Sequence, residues 1–508
     1  MPLSSNATPP AVTPTLVTDS DQDQLLHSPT LVAKRKADSN AHDPAISPPP
    51  TKRKVLSSVS KSVVASFFTP ASQKPAVKSS VAWDERAPAV GVPATLLVAT
   101  FCPEGSRETS SSSTTPKRRK VAAFDLDSTL ITTASGKKHA VSATDWTWWD
   151  ATVPQRLRTL YDNGFAVIIF SNQGGLVLHP EADSKKEKGK APSKPKAGVQ
   201  DRVASYKQKC AAVLTELGLP TTLYAATGKD RFRKPRPGMW QEMIKDLGLS
   251  GEGHEHHPGL DLAGSFFVGD AAGRVAHVRN GKLVPKDFSC SDRNLAANVG
   301  VRFETPEEYF LGEAPREFAR GFDLAEYPFV GTAVPAAAPA PIFTKGDGQE
   351  LVVFCGPPGA GKSTFARLHM EPLGFERVNQ DTLKSKDRCI KRAAALLQSG
   401  KSVVIDNTNP DPGSRALWMG LGKKQNVLVR CVWFKMSPAI CEHNEAVRSQ
   451  NKSLNPDNRE PLPRIAFNSY FSRFQEPKAS EGFSDIIEVA FTFSGTEEDY
   501  ALWGTYWL

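Results

Sequence analysis

The chain has 508 residues, 63 Lys and Arg against 54 Asp and Glu, and a net charge of +9, which leaves room for two or three domains plus tails. Its seven cysteines form no CxxC pair, which argues against a disulfide framework or a cysteine zinc site and suits a reducing compartment. A polar, Pro-rich start and the lack of any run of about 20 apolar residues predict neither signal peptide nor membrane span, so no membrane partner is expected.

Charge is unevenly placed. Residues 1–120 carry 15 Lys/Arg against 9 Asp/Glu, and residues 181–200 carry 6 Lys against 3 acids. These segments account for the whole excess, so an ordered body must attract anions through local patches. Residues 1–78, rich in Ser, Thr, Pro and Lys without periodicity, read as a disordered basic tail. Two short runs within 1–121, PPPTKRKVL (Pro48–Leu56) and PKRRKV (Pro116–Val121), resemble nuclear-import signals. They predict a nuclear location. SVVASFFTP (Ser62–Pro70) loosely resembles peptides that dock on sliding clamps, although the usual leading Gln is absent.

From about Val81 apolar strands alternate with helices. Ala94–Phe101, KVAAFDLDSTLI, Phe165–Gln173 and Gly264–Gly273 read as strands, and Val203–Leu217 as a helix closed by Gly218. That alternation predicts a doubly wound parallel α/β domain over 79–329, with 181–200 as a mobile Lys-rich insertion. The Pro/Ala stretch 330–349 reads as a linker. Strands Glu350–Cys355, Ser402–Asn409 and Val427–Phe434, separated by a glycine loop and helices, predict a second α/β domain over 350–508.

Asp125 and Asp127 lie on one side of an extended strand end, where open α/β sheets place ligands. Like charges so close raise one another's pKa unless a cation intervenes. Ser171, Lys234 and Asp270 follow at later strand ends or just beyond them. A Mg²⁺ ion held by Asp125, Asp270 and the Asp127 main-chain carbonyl would offset the repulsion. Asp125 could then attack a phosphate while Asp127 moves the proton. Ser171 and Lys234 would hold the phosphoryl oxygens.

The stretches FDLDSTLITT, FSNQGG, RKPRPGMW, FVGDAAGR and KDFSCSDRNLAANVG resemble the phosphatase half of the polynucleotide kinase 3′-phosphatase family, within the haloacid-dehalogenase superfamily. The resemblance implies removal of 3′-phosphates from DNA ends. One departure is Ser128, where Gly is usual in the strand-exit turn.

GPPGAGKST (Gly356–Thr364) stands between a strand and a helix, the context of an ATP-binding P-loop. Gly356, Gly359, Gly361 and Thr364 would shape the cradle, Lys362 would reach the donor phosphates, and Ser363 would hold Mg²⁺. Asp381, about twenty residues on, could take a proton from an attacking hydroxyl. Read alone, it is equally a helix cap before Thr382. Asp406 sits where a Walker-B-like carboxylate would orient the metal water or the base, and Arg448 falls on a lid helix suited to clamping phosphates. This order is similar to the kinase half of the same family and implies phosphorylation of 5′-hydroxyls. The family commonly has Arg before the catalytic Asp, and here stands Gln380. The substrate-phosphate contact of that Arg is then either lost or supplied by Lys384 or Arg388.

Three weaker features remain. His254, His256 and His257 lack a fourth ligand and read as a polar loop. Trp146, Trp148 and Trp149 suit core packing more than base stacking. Arg231, Arg233 and Arg236 flank Lys234 and could track a strand's phosphates. The whole predicts a monomer that heals DNA strand-break ends for ligation. The rivals are a small-molecule phosphatase fused to a metabolite kinase, and a non-catalytic scaffold.

Overall fold

In the computed structural model the described residues are 81–103, 117–180, 199–249, 259–279, 281–329, 342–451, 453–455, 459 and 462–508. The tail with its import-like run Pro48–Leu56 and its clamp-like run Ser62–Pro70, residues 181–198, the three loop histidines and most of the linker lie outside them.

Seven strands make the first sheet: β1 (Val81–Arg86), β2 (Leu96–Phe101), β3 (Lys120–Phe124), β4 (Phe165–Asn172), β5 (Thr221–Ala226), β6 (Phe266–Val268) and β7 (Arg302–Glu304). Their spatial order is β1–β2–β5–β4–β3–β6–β7. Strands β3 to β7 run parallel, whereas β1 and β2 add an antiparallel edge. The link between β1 and β2 is too short for a crossover helix, so those two strands must turn back on each other. Side chains of β3 alternate between two cores. Ala122 and Phe124 join Leu157 of α1 (Val153–Asp162) and Cys210 and Leu214 of α2 (Val199–Leu217). Val121 and Ala123 join Trp240 of α3 (Gly238–Asp246) and Leu295 of α4 (Ser291–Val299). Trp146, Trp148 and Trp149 pack against the first core.

The second sheet holds β8 (Glu350–Cys355), β9 (Phe375–Val378), β10 (Ser402–Ile405), β11 (Leu428–Phe434) and β12 (Ile486–Val489). All five are parallel, in the order β9–β10–β8–β11–β12. Helices α5 (Lys386–Gln398) and α6 (Pro412–Gln425) cover one face, and α7 (Pro438–Gln450) and α8 (Glu497–Trp503) the other. No helix among the described residues is long and apolar enough to cross a membrane.

The two sheets belong to one compact unit, Val77–Leu508. Phe322, beyond the first sheet, packs edge-on against His443 of α7 with ring centroids 4.7 Å apart. Tyr500 of α8 donates its hydroxyl to the Tyr327 carbonyl at 2.8 Å.

Lys117, Arg118 and Arg119 are not free side chains. They donate to the carbonyls of Gly248, Tyr161 and Gly259 at 2.6, 2.6 and 2.7 Å. This basic run braces the fold immediately before β3.

Candidate active sites

The first site forms at the carboxyl ends of β3, β4 and β6. Asp125 follows β3, and its N–H donates to Val268 of β6 at 2.9 Å. The chain then reverses through Ser128, whose φ of +63° is a left-handed conformation that a side chain disfavours. Lys234 Nζ lies 2.7 Å from Asp125 Oδ1 and 2.8 Å from Asp292 Oδ1, with the lysine side chain 1 % exposed. It also donates to the Phe170 carbonyl at 2.8 Å. Burial alone would neutralise this ammonium, but the two carboxylates outweigh burial and raise its pKa. Asp270 completes the cluster: Asp125, Asp270 and Asp292 each present an oxygen within 4.8 Å of the others. Burial pushes the pKa of both Asp125 and Asp270 up. Lys234 opposes the rise and the neighbouring carboxylates add to it.

Asp127 faces another way. Its carboxylate accepts from Lys209 Nζ at 2.8 Å and Gln173 Nε2 at 2.7 Å, and the same amide donates to Ser171 Oγ at 2.8 Å. Asn172 grips the main chain of Lys234, accepting from its N–H at 2.9 Å and donating to its carbonyl at 3.1 Å. The Ser-Asn-Gln run at the end of β4 thus lines the pocket, holds the lysine loop and orients Asp127.

Sequence reasoning named Asp125, Asp127, Ser171, Lys234 and Asp270, and the fold brings them together. It missed Asp292, Asn172, Gln173 and Lys209. Gly269 carried a hint, since a Cβ there would collide with the Asp292 carboxylate. The arginine expectation needs correction. Arg236 is buried against the carbonyls of Lys229 and Asp230 at 2.5 and 2.7 Å, and Arg231 pairs with Glu242 at 2.6 Å. Both make bonds within the fold, although the buried Nε of each is left without a hydrogen-bond partner. Arg233 is the remaining member of the trio, and its buried Nη1 has no hydrogen-bond partner.

The second site opens at the carboxyl ends of β8, β9 and β10, in a cavity of about 770 Å³. Gly359 and Gly361 have φ of +79°, and a Cβ on Gly359 would collide with the Cys441 carbonyl, so the loop needs glycine there. Lys362 folds back on its own loop, donating to the carbonyls of Gly356 and Pro357 at 3.0 and 2.6 Å. Burial lowers its pKa. Ser363 Oγ donates to Asp406 Oδ2 at 2.8 Å, and Asp406 is further held by Arg377 at 2.6 Å and Asn379 at 3.0 Å.

Asn379 is the cap of the short helix Gln380–Leu383, accepting from the N–H groups of Asp381 and Thr382. Asp381 is therefore released from capping, and its side chain is 71 % exposed in the cavity wall. Thr364, Gln380 and Arg448 line the same cavity, whereas Lys384 and Arg388 are not among its lining residues. The guanidinium of Arg448 is engaged by Glu445 on its own helix. A residue not singled out from sequence, Arg459, reaches both functional sides. It donates to Ser363 Oγ at 2.8 Å and lies 3.5 Å from Asp381 Oδ2. It stands outside any helix or strand, so its sequence carries no periodic signal.

Comparison with known proteins agrees with this division. The family model described as polynucleotide kinase 3 phosphatase matches residues 120–310, and one described as an AAA domain matches residues 351–477. The bifunctional polynucleotide phosphatase/kinase of Schizosaccharomyces pombe is 39 % identical over 386 residues, covering 75 % of this chain and 82 % of its own. A putative bifunctional polynucleotide phosphatase/kinase of Acanthamoeba polyphaga mimivirus is 31 % identical over 414 residues, 76 % of this chain and 87 % of its own. A polynucleotide 3′-phosphatase of Arabidopsis thaliana is 32 % identical over 194 residues, 38 % of this chain and 24 % of its own. With both pockets present in order on one polypeptide, the chain belongs to the bifunctional polynucleotide phosphatase/kinase family.

Proposed function

We propose that this chain heals nucleic-acid strand breaks, hydrolysing a 3′-phosphate in the first pocket and phosphorylating a 5′-hydroxyl with ATP in the second. The observation that carries it is the buried Asp125–Lys234–Asp292 array with Asp270 beside it. Three carboxylates crowded around one lysine fit a divalent cation such as Mg²⁺, which would neutralise charge on the phosphate and on the cluster. Asp125, Asp270 and Asp292 supply suitable oxygens, and the Asp127 main-chain carbonyl is the further donor expected from sequence.

The Asp125 carboxylate attacks phosphorus, forming an aspartyl-phosphate as the bond to the 3′-oxygen breaks. Asp127, held by Lys209 and Gln173, gives its proton to that leaving oxygen. It then takes one from the water that attacks the aspartyl-phosphate, and inorganic phosphate departs. Lys234 and Ser171 orient the phosphoryl oxygens and stabilise the charge that builds up. In the second pocket, the loop N–H groups and Lys362 would hold the ATP phosphates, and Ser363 and Asp406 would hold a Mg²⁺ ion that neutralises phosphate charge. Asp381 takes the 5′-hydroxyl proton as that oxygen attacks the γ-phosphorus and ADP leaves. Arg448 and Arg459, which line the same cavity, would bridge donor and acceptor. Nuclear placement rests on Pro48–Leu56, since the basic side chains of 117–119 are engaged in the fold.

The test is a nicked DNA duplex bearing a 3′-phosphate and a 5′-hydroxyl, incubated with Mg²⁺ and with or without ATP. The 3′-phosphate disappears in both cases and the 5′-phosphate appears only with ATP. Turnover of sugar phosphates alone would favour the metabolite reading, and no turnover of either substrate would favour a scaffold.

A further inference from the structure

Helix α4 does two jobs. Its first turn delivers Asp292 to Lys234, and one face of its remainder carries Asn294 and Asn298, four residues apart and therefore on the same side. That face meets the last residues of the chain, which extend from α8 of the second sheet. Asn298 Nδ2 donates to the Tyr506 carbonyl at 2.7 Å, and its Oδ1 accepts from the Tyr506 N–H at 2.8 Å. Asn294 Nδ2 donates to the Leu508 carbonyl at 3.3 Å, while its Oδ1 accepts from Arg320 Nε at 2.9 Å. The Arg320 guanidinium lies 4.9 Å from the Tyr506 ring centre, and that of Arg236 lies 5.6 Å from the Trp507 ring centre. The ends of both side chains on this helix face are thus spent on another part of the fold.

Asn298 has one more contact, and it leads to the chemistry. The Nδ2 that reaches Tyr506 also donates to the Pro235 carbonyl at 2.9 Å. Pro235 follows Lys234, whose own main chain is gripped by Asn172. The lysine loop is therefore held by two asparagines, one on the first sheet itself and one tied to the segment that follows α8. At the same end of α8, just before this segment, Trp503 Nε1 donates to Asn444 Oδ1 at 2.7 Å and Asn444 Nδ2 donates to the Gly359 carbonyl of the second pocket at 2.9 Å.

We infer that the segment Thr505–Leu508, contributed by the kinase half, is a positioning element of the phosphatase site, acting through Asn298 on the Lys234–Pro235 loop and on α4. Lys234 must hold its Nζ within hydrogen-bond reach of Asp125 and of the phosphoryl group, and small displacements there are costly. The first pocket is therefore complete only when the second domain is docked. This inference rests on the phosphatase reading of the first pocket. It goes beyond that reading because it makes one activity depend on residues of the other domain.

The experiment uses the full chain, a chain ending at Gly504, Asn298→Ala, and the two changes combined. All four are assayed on a 3′-phosphorylated oligonucleotide and, separately, for ATP-dependent phosphorylation of a 5′-hydroxyl. The phosphatase kcat falls about tenfold in each single variant, with KM within about twofold. Kinase turnover stays within about twofold, because Trp503 and Asn444 are retained. If the segment acts through Asn298, the combined variant loses no more than the larger single loss. Full phosphatase kcat in the shortened chain overturns the inference, as do multiplying losses in the combined variant. A shortened chain that loses both activities together with its thermal transition points to unfolding. Asn298→Ala then decides, and an unchanged phosphatase kcat in that variant overturns the inference. Failure of the unaltered chain on the 3′-phosphate would instead remove the phosphatase reading itself.

Discussion

The two pockets share a position, the carboxyl edge of a parallel sheet, yet they stand ready in opposite ways. In the first, the charged groups already face one another: Lys234 is 1 % exposed and Asp292 is fully buried. In the second, Lys362 is bonded to its own loop carbonyls, and Asp381 stands mostly in solvent with Arg459 as its cationic neighbour. The difference follows from what each pocket must accept. A terminal phosphate is small and enters a cluster whose groups are positioned in advance, so little reorganisation accompanies catalysis. A nucleotide would bring its own phosphates, and in the proposed kinase reaction these displace the lysine from the carbonyls of Gly356 and Pro357. Part of its binding energy is used in that exchange.

If the pockets are chemically independent, each can be silenced alone. Asp125→Asn removes the proposed nucleophile and lowers 3′-phosphatase turnover by about 10⁴-fold, while 5′-phosphorylation of the same oligonucleotide continues. Equal loss of both activities would break the comparison. Lys362→Ala does the reverse, lowering kinase turnover by roughly 10³-fold with 3′-phosphate removal intact. Within the second pocket, Arg459→Ala lowers kcat by about 10²-fold and Arg448→Ala by about tenfold, because Glu445 restrains the latter and Arg459 spans both reacting sides. Steady-state kinetics with the order reversed would return the clamp to Arg448.

The preset charges of the first pocket also give a pH signature. Burial raises the proton affinity of Asp125 and Asp270 in the folded chain, so above the ordinary carboxylate value of about 4 the native state holds more protons than the unfolded one. Stability without metal therefore falls as pH rises from there toward neutrality. Thermal unfolding with a chelator checks this: the transition moves down between pH 5 and 7.5, and added Mg²⁺ raises it more at the higher pH. A chelated protein that gains stability over that range contradicts the electrostatics described. The smallest effect concerns the turn at Ser128. Ser128→Gly relieves the left-handed residue and raises stability by about 0.5–1 kcal/mol, visible as a modest upward shift of the unfolding transition with phosphatase turnover unchanged.

The sequence by itself determined whatever depends on local spacing. The P-loop is legible because its glycines, lysine and serine act within one strand–loop–helix unit. Asp125 and Asp127 are legible as a close carboxylate pair just past an apolar strand, although β3 ends at Phe124 and Asp127 turns away from Asp125 toward Lys209 and Gln173. The alternation of apolar strands and helices likewise prescribed two α/β sheets. It did not prescribe the antiparallel β1–β2 edge, which followed from the length of one connection.

Tertiary structure decided everything that requires two distant segments to meet. Asp292 looks like an ordinary acidic residue in a helix's first turn until α4 docks beside Lys234, in space that Gly269 leaves clear. Asn379 takes the cap that Asp381 could have filled, because the end of β9 presents its side chain to those N–H groups. Arg231 and Arg236, indistinguishable by pattern from Arg233, are committed to Glu242 and to buried carbonyls. Asn298 gains its meaning from Tyr506, more than 200 residues away in the chain. Spacing encodes which side chains share a face of one element. Only packing decides which faces come together, because burial of apolar surface selects the docking and charges and hydrogen bonds must then be satisfied wherever it leaves them.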